Sequence, residues 1–179
     1  MSGRQGKMIR RFREIIYFIV FVLLQTLVID NIHLFGIVTP FLYIYVIIKF
    51  KVGLTRSSMI LLSFLLGLII DIFSDTYGVH AAACSITGFI CKPLFERIVD
   101  TKDLPNGSFP SYEQIGYRNF FNYTLIVVTI HHVVLFSIES FGFHQPLLLI
   151  TRLITSILMT SLLVFLVEAF NLIKIKNGK

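Results

Sequence analysis

Three residues inside one apolar stretch have types and spacing that could support chemistry in a membrane. Ser63, Gly67 and Asp71 recur every four residues, so they share one side of a predicted helix. Gly67 allows a second helix to approach closely. Asp71 lies near the end of the stretch, where a carboxylate must be paired or hydrated. This spacing favours a tightly packed helical hairpin, and the alternative is a conducting or ligand-binding role for Asp71.

Arg152 lies inside the last apolar stretch of the chain. An arginine inside hydrocarbon must pair with an acid or extend its side chain back to the interface. Glu139, Asp71 and Asp30 are carboxylates predicted at the same end of the spans. We expect a structural ion pair between Arg152 and one of these acids, and an anion-binding site is the alternative.

His131 and His132 are adjacent within another apolar stretch. Neighbouring helical residues point about 100° apart, so the two rings do not form a simple metal-chelating pair. A proton path would need further ionisable groups at successive depths, so we expect packed, hydrogen-bonded histidines. Gln25, in the first apolar stretch, is expected to form a hydrogen bond to a neighbouring helix.

Motifs for catalysis and cofactor binding are absent from the sequence. It contains no phosphate-binding glycine loop, no His-Glu-x-x-His and no serine nucleophile elbow. Cys84 and Cys91 lie seven residues apart without His or Cys partners at ligand spacing, so we expect no metal site. The sequence therefore predicts a binding or scaffold subunit without a cofactor, and not an enzyme.

The composition predicts the elements that must position these residues. Of the 179 residues, 55% are hydrophobic and 15% are charged, which leaves too little polar surface for a water-soluble domain. The net charge of +6 comes from short clusters between apolar blocks, so we attribute it to membrane topology and not to nucleic-acid binding. We predict an all-α polytopic membrane protein with six transmembrane helices, over residues 15–29, 32–48, 57–73, 78–95, 119–138 and 147–173.

The lysines and arginines predict the orientation of these spans. Except for Arg152, they lie before the first span, between spans two and three, at or after the end of span four, or at the end of the chain. The positive-inside rule therefore predicts that both termini are cytoplasmic. In this interpretation residues 1–179 form a single membrane domain. Its one sizeable cytoplasmic loop, 92–118, is either a docking site for a second partner or a solvated linker.

Four short motifs give the sequence a resemblance to a known family. In chain order they are Leu24-Gln25, Thr39-Pro40, Gly67 to Asp71, and Gly78-Val79-His80-Ala81. Their order and spacing, together with the length and hydropathy of the chain, resemble the rod shape-determining protein MreD family. Phe41 departs from the pattern, because many members of that family carry an acid just after the proline.

The resemblance implies a function that composition does not. MreD-like proteins are non-enzymatic, multi-pass subunits of the bacterial cytoplasmic (inner) membrane. They belong to the rod complex, which directs lateral peptidoglycan synthesis and cell shape. They bind the single-span protein MreC and, through it, the filament protein MreB and the polymerase RodA with its transpeptidase. For this chain the resemblance implies an MreC-like partner bound through transmembrane helices, with Gln25 and the Ser63–Gly67–Asp71 stripe as candidate contacts.

The family's fold resembles the substrate-binding subunits of energy-coupling-factor transporters, which supply the main alternative function. A vitamin-binding subunit would need a polar pocket near the outer face, which Asp71, Arg152 and Glu139 could line. A second alternative is a small proton-coupled permease that uses His131, His132 and Asp71.

Overall fold

The computed structural model of the chain describes residues 22–25, 38–102, 104–105, 107–140 and 146–177. Within these ranges the structure is helical and contains no strand. The helices are α1 (Ile44–Ile48), α2 (Arg56–Ser74), α3 (Val79–Ile98), α4 (Tyr112–Ile115), α5 (Tyr117–Glu139) and α6 (Pro146–Asn177).

Three of the helices in the described ranges are long and apolar enough to cross a membrane. They are α2, α5 and the Pro146–Phe170 part of α6, and they coincide with the predicted spans 57–73, 119–138 and 147–173. The helix α3 covers the predicted span 78–95, but Lys92, Glu96 and Arg97 make its last two turns polar. The predicted first span, 15–29, lies outside the described residues except for 22–25. The chain therefore has the helices of a membrane protein.

The predicted second span, 32–48, is not one continuous helix over its described part. Residues 38–43 are non-helical, and α1 begins only at Ile44. Proline has no N–H to donate, and its ring disfavours the helical conformation in the preceding residue. Pro40 therefore lies where the helix is interrupted, and the span at 32–48 stays a prediction.

The hairpin of α2 and α3 is packed closely enough to exclude any side chain at two glycines. A Cβ at Gly67 would lie 2.4 Å from the carbonyl oxygen of His80, and a Cβ at Gly88 would lie 2.3 Å from Oγ of Ser63. Because Gly67 meets the start of α3 and Ser63 meets its middle, the two helices run antiparallel. This is the packing that the Ser63–Gly67–Asp71 spacing predicts.

Further helices pack on this hairpin, and their bulky side chains face outward. The helix α5 packs against α3, and α6 packs against α5. Branched apolar residues remain exposed along the outer sides of α2 and α6, where lipid would surround them. They include Leu61, Leu65, Ile72, Ile154, Leu158 and Leu162.

The described part of the loop 92–118 is held against the rest of the chain. The helix α3 continues through Ile98, and the short helix α4 precedes α5. The Val52 N–H donates to the carbonyl of Ser108, and the Gly107 N–H donates to the carbonyl of Val52, both at 2.8 Å. These paired backbone bonds anchor the loop to the segment between α1 and α2.

Candidate functional site

The non-helical segment 38–43 donates two of its backbone N–H groups to side chains of α6. The Thr39 N–H donates to Oγ of Ser156, and the Phe41 N–H donates to Oγ1 of Thr160, both at 3.0 Å. In a membrane interior a backbone group without a partner costs several kcal/mol, so an unwound segment persists only where protein groups bond it. Ser156 and Thr160 therefore stabilise the interruption at Pro40.

The side chain of Gln25 also forms hydrogen bonds with the backbone of the segment 38–43. Its Nε2 donates to the carbonyl of Pro40 at 3.1 Å, and its Oε1 accepts from the N–H of Leu42 at 2.7 Å. The expected interhelical hydrogen bond of Gln25 is thus made to unwound backbone. Gln25 and Pro40, which come from two separate motifs of the sequence, contact each other directly.

A chain of hydrogen bonds links the segment 38–43 to α3 and α5 through Tyr43. The Tyr43 hydroxyl lies 2.8 Å from Nδ1 of His80 and 2.7 Å from Nε2 of His131. Nδ1 of His131 lies 3.2 Å from Oγ1 of Thr87, which donates to the carbonyl of Ala83 at 2.7 Å. Because Thr87 has one hydroxyl proton, a neutral His131 must donate to it through Nδ1 and accept from Tyr43 at Nε2. Tyr43 then accepts from Nδ1 of His80.

The second histidine belongs to a separate chain. Nδ1 of His132 lies 2.8 Å from the carbonyl of Val128, and its Nε2 lies 3.2 Å from Oγ1 of Thr160, which also accepts from the N–H of Phe41. A neutral His132 therefore donates to Val128 and accepts from Thr160. Each chain ends on a helix carbonyl, that of Ala83 or Val128, which cannot pass a proton on. The arrangement matches the expectation of packed, hydrogen-bonded histidines.

The ring of Phe41 covers these histidines. Its centroid lies 5.5 Å from that of His80, 6.1 Å from that of His131 and 5.2 Å from that of His132. Phe41 is itself buried, and its ring also contacts Phe136. The residue that departs from the family pattern therefore fills the centre of the bundle with an apolar ring.

Asp71 caps the start of α3. Its Oδ1 accepts from the backbone N–H of His80 at 3.0 Å and from the Thr76 hydroxyl at 2.6 Å, and its Oδ2 accepts from the N–H of Ala81 at 2.8 Å. Both oxygens are thus used within the hairpin. Gly78 allows the turn because its φ of 81° lies in the left-handed region. The structure gives Asp71 a capping role that the sequence did not reveal.

Arg152 pairs with one of the three expected acids. Its Nη2 lies 3.5 Å from Oε1 of Glu139, and its guanidinium lies 5.0 Å from the ring centroid of Phe136. Asp71 is occupied by the hairpin, and Asp30 lies outside the described residues. Since both partners of the pair are about one-third or more exposed, the geometry indicates a structural contact of modest strength.

Several residues expected at a partner interface are instead buried within the chain. The side chains of Gln25, Ser63 and Asp71 are nearly inaccessible, and Gly67 is covered by the backbone of α3. A partner helix could reach them only by displacing α3 or the 38–43 segment. The partner interface on these residues stays a prediction, and in the described structure Gln25, Gly67 and Asp71 contact other parts of the chain.

A buried ion pair, which sequence reasoning missed, lies at the opposite end of the bundle. Lys49 Nζ lies 3.0 Å from both carboxylate oxygens of Glu168. The Tyr45 hydroxyl donates to Glu168 at 2.7 Å, and Lys49 also donates to the carbonyl of Pro110. Burial lowers the pKa of Lys49, and the Glu168 carboxylate opposes that shift. The one available signal was an acid, Glu168, inside the last apolar stretch.

Among the described residues no group of three His, Cys, Asp or Glu side chains is arranged to hold a metal ion. The chemistry of these clusters is hydrogen bonding and ion pairing that join distant parts of the chain. Comparisons with protein-family models, with curated proteins and with solved structures found no match.

Proposed function

We propose that this protein is a non-enzymatic membrane subunit of the bacterial cell-elongation (rod) complex, similar to MreD. One observation carries the proposal: the ionisable groups near the centre of the bundle are used to hold it together. Asp71 caps a helix, and both ring nitrogens of His131 and His132 are bonded to protein groups. We infer that such a protein acts by binding partners at its surface, as a scaffold does.

The positions of the motif residues support the resemblance. Gly67 and Asp71 both contact the backbone at His80, and Gln25 bonds Pro40. Residues that the sequence offers as four separate motifs therefore form two contacts in space.

In the proposed function a single-span, MreC-like partner packs its transmembrane helix on an outward side of the bundle. Helices associate in lipid through close packing and a few hydrogen bonds. The outer sides of α2 and α6 are among the exposed apolar surfaces of the described spans. MreB and RodA with its transpeptidase would join indirectly through that partner, in the bacterial cytoplasmic membrane.

The geometry gives the two alternative functions less support. A vitamin-binding subunit needs a polar pocket near the outer face, where Arg152 is instead paired with Glu139. A proton-coupled permease needs a continuous path, whereas both histidine chains end on carbonyl groups. Asp71 and Glu139 are already paired within the chain.

Depletion of the protein in its bacterial host tests the proposal. We expect rod-shaped cells to become round, because lateral wall synthesis would lose its membrane scaffold. Normal cell shape with a requirement for an added nutrient would support the transporter function instead. A second test is co-purification in mild detergent with an MreC-like protein that keeps its transmembrane helix but lacks its periplasmic domain. Loss of the complex on that deletion would refute an interface between membrane helices.

A further inference from the structure

The buried ion pair between Lys49 and Glu168 includes a third group, which comes from the loop before α4. Lys49 Nζ donates to both carboxylate oxygens of Glu168 on α6, and it also donates to the backbone carbonyl of Pro110. The rings of Tyr45 and Phe120 each have their centroid 5.7 Å from the same ammonium group. One lysine therefore contacts the loop, α6 and the beginning of α5.

A short part of that loop, residues 107–111, is held in place on both sides of the Lys49 contact, and we call it the strap. The Gly107 N–H donates to the carbonyl of Val52, and the Val52 N–H donates to the carbonyl of Ser108, both at 2.8 Å. Ser108 and Pro110 are buried, so the strap is packed against the rest of the chain. The strap thus joins the connection between α1 and α2 by backbone bonds, and it joins α6 through Lys49.

The strap and the ion pair depend on each other because a charge is costly to bury alone. The side chain of Lys49 is 19% exposed and that of Glu168 is 2% exposed. If the strap moves away, the ammonium loses the Pro110 acceptor and water reaches the pair. If the carboxylate is neutralised, the buried ammonium moves toward water or loses its proton, and either change weakens its bond to the strap.

We propose that the strap and the Lys49–Glu168 pair form one conformational device, in which release of the strap and separation of the pair occur together. Glu168 lies in the Pro146–Phe170 part of α6, which is long and apolar enough to cross a membrane. An event that displaces the strap is thereby transmitted to α6, and a movement of α6 is transmitted to the strap, since such coupling is reciprocal. The inference does not depend on the proposed function in cell elongation.

The first test loosens the strap without changing the ion pair. Gly107 has a φ of 81°, and alanine in this left-handed region should lower the population of the closed strap about tenfold. Gly78→Ala is the matched control, because Gly78 has the same φ and an added Cβ meets nothing within 4 Å at either glycine.

The measurement is the rate at which an amine-reactive reagent labels Lys49 in the full chain in mild detergent, resolved by peptide mass spectrometry. Labelling of a buried group follows the population of the open form. We expect about tenfold faster labelling of Lys49 in Gly107→Ala, in proportion to that population, and a rate close to wild type in Gly78→Ala. Lys102 is exposed, so its labelling should be equal in all three proteins.

The second test begins at the other end of the device. Glu168→Gln removes the carboxylate of the pair, and Glu113→Gln removes an exposed carboxylate from α4, just after the strap. Hydrogen–deuterium exchange of the peptides that contain Val52 and Gly107 measures release of the strap. We expect exchange of both peptides to be several-fold faster in Glu168→Gln than in Glu113→Gln.

Two results would each overturn the proposal. One is equal labelling of Lys49 in Gly107→Ala and Gly78→Ala, which would mean that the strap does not control access to the pair. The other is equal exchange in Glu168→Gln and Glu113→Gln, which would mean that the pair does not hold the strap. If Glu168→Gln fails to accumulate as a folded protein, the comparison of the two glycine variants decides alone.

Discussion

The carboxylate of Asp71 accepts a hydrogen bond from the backbone N–H of His80 at 3.0 Å, so an acid near the end of α2 caps the beginning of α3. The free N–H groups and the dipole at a helix N-terminus both stabilise a negative charge. The same contact fixes the position of the His80 ring, whose Nδ1 lies 2.8 Å from the Tyr43 hydroxyl. The turn between α2 and α3 is thereby joined to the buried histidine chain.

Replacement of Asp71 should destabilise the hairpin in proportion to the hydrogen bonds lost. Asp71→Ala removes the acceptors for His80 and Ala81 and should cost about 1–3 kcal/mol, the range for a lost cap and charged hydrogen bonds. Asp71→Asn keeps one carbonyl oxygen and should cost less. Thermal unfolding in detergent measures both. Asp75→Asn is the matched control, because Asp75 is exposed and asparagine tolerates its φ of 52°. Equal stability of all three variants would exclude the capping role.

Gly67→Ala should be more harmful than its small size suggests. The new Cβ would lie 2.4 Å from a backbone oxygen of His80 and 2.6 Å from Cα of Ala81, so α2 and α3 must move apart. Overpacking of this kind costs about 1–3 kcal/mol. Leu68→Ala, one residue further on an exposed side of α2, should change stability less. Accumulation and thermal stability in the opposite order would show that the hairpin tolerates separation.

The packing of α2 against α3 could be predicted because the residues that determine it lie close together in the sequence. A period of four places Ser63, Gly67 and Asp71 on one side of a helix, and hydropathy marks α2, α5 and α6 as spans. The capping role of Asp71 was not predictable, since it depends on the exact length of the turn. Only a turn that places the N–H groups of His80 and Ala81 against the carboxylate produces it.

The unwound segment 38–43 and the Lys49–Glu168 ion pair could not be predicted from the sequence, for a different reason. Ser156 and Thr160 bond backbone groups that lie 117 and 119 positions earlier, and Lys49 and Glu168 are also 119 apart. Contacts at such separations have no periodicity to reveal them. Lys49 lies in a predicted cytoplasmic segment, as the positive-inside rule expects, so nothing in the sequence indicates that it has a partner.

Tyr43→Phe should leave the nitrogen acceptor of His131 and the donor of His80 without their shared partner. A buried polar group left unsatisfied costs about 1–3 kcal/mol, and the phenylalanine ring fills the same space. We expect lower thermal stability without a change in helix content by circular dichroism. Tyr77→Phe is the control, because Tyr77 is 99% exposed. Unchanged stability of Tyr43→Phe would mean that the hydrogen-bond chain contributes little.

Lys49 and Glu168 should be strongly coupled in a double-mutant cycle. Removal of one partner leaves a buried charge, which typically costs about 3–5 kcal/mol, whereas removal of both leaves none. Lys49→Met and Glu168→Gln should each lower stability, and the double variant should recover much of the loss. The Lys92–Glu96 pair, at 3.8 Å and with both side chains about one-third or more exposed, provides a control cycle with little coupling. Simple additivity at Lys49 and Glu168 would argue against the pair.

The same pair should make stability depend on pH in the alkaline range. Burial lowers the pKa of Lys49 in the folded chain below its usual 10.5, and the Glu168 carboxylate opposes the shift. Between the two values the unfolded chain binds more protons, so stability rises as pH rises through that window. In Glu168→Gln the opposing charge is gone, so the pKa of Lys49 falls further and the rise begins at a lower pH. Lys49→Met removes the titrating group and should lack this rise in stability.

Since Tyr45 and Tyr112 also lie near the pair, the measurement is the difference between variants in unfolding temperature from neutral pH to about pH 10. Identical profiles for the two variants would show that Lys49 does not titrate against Glu168.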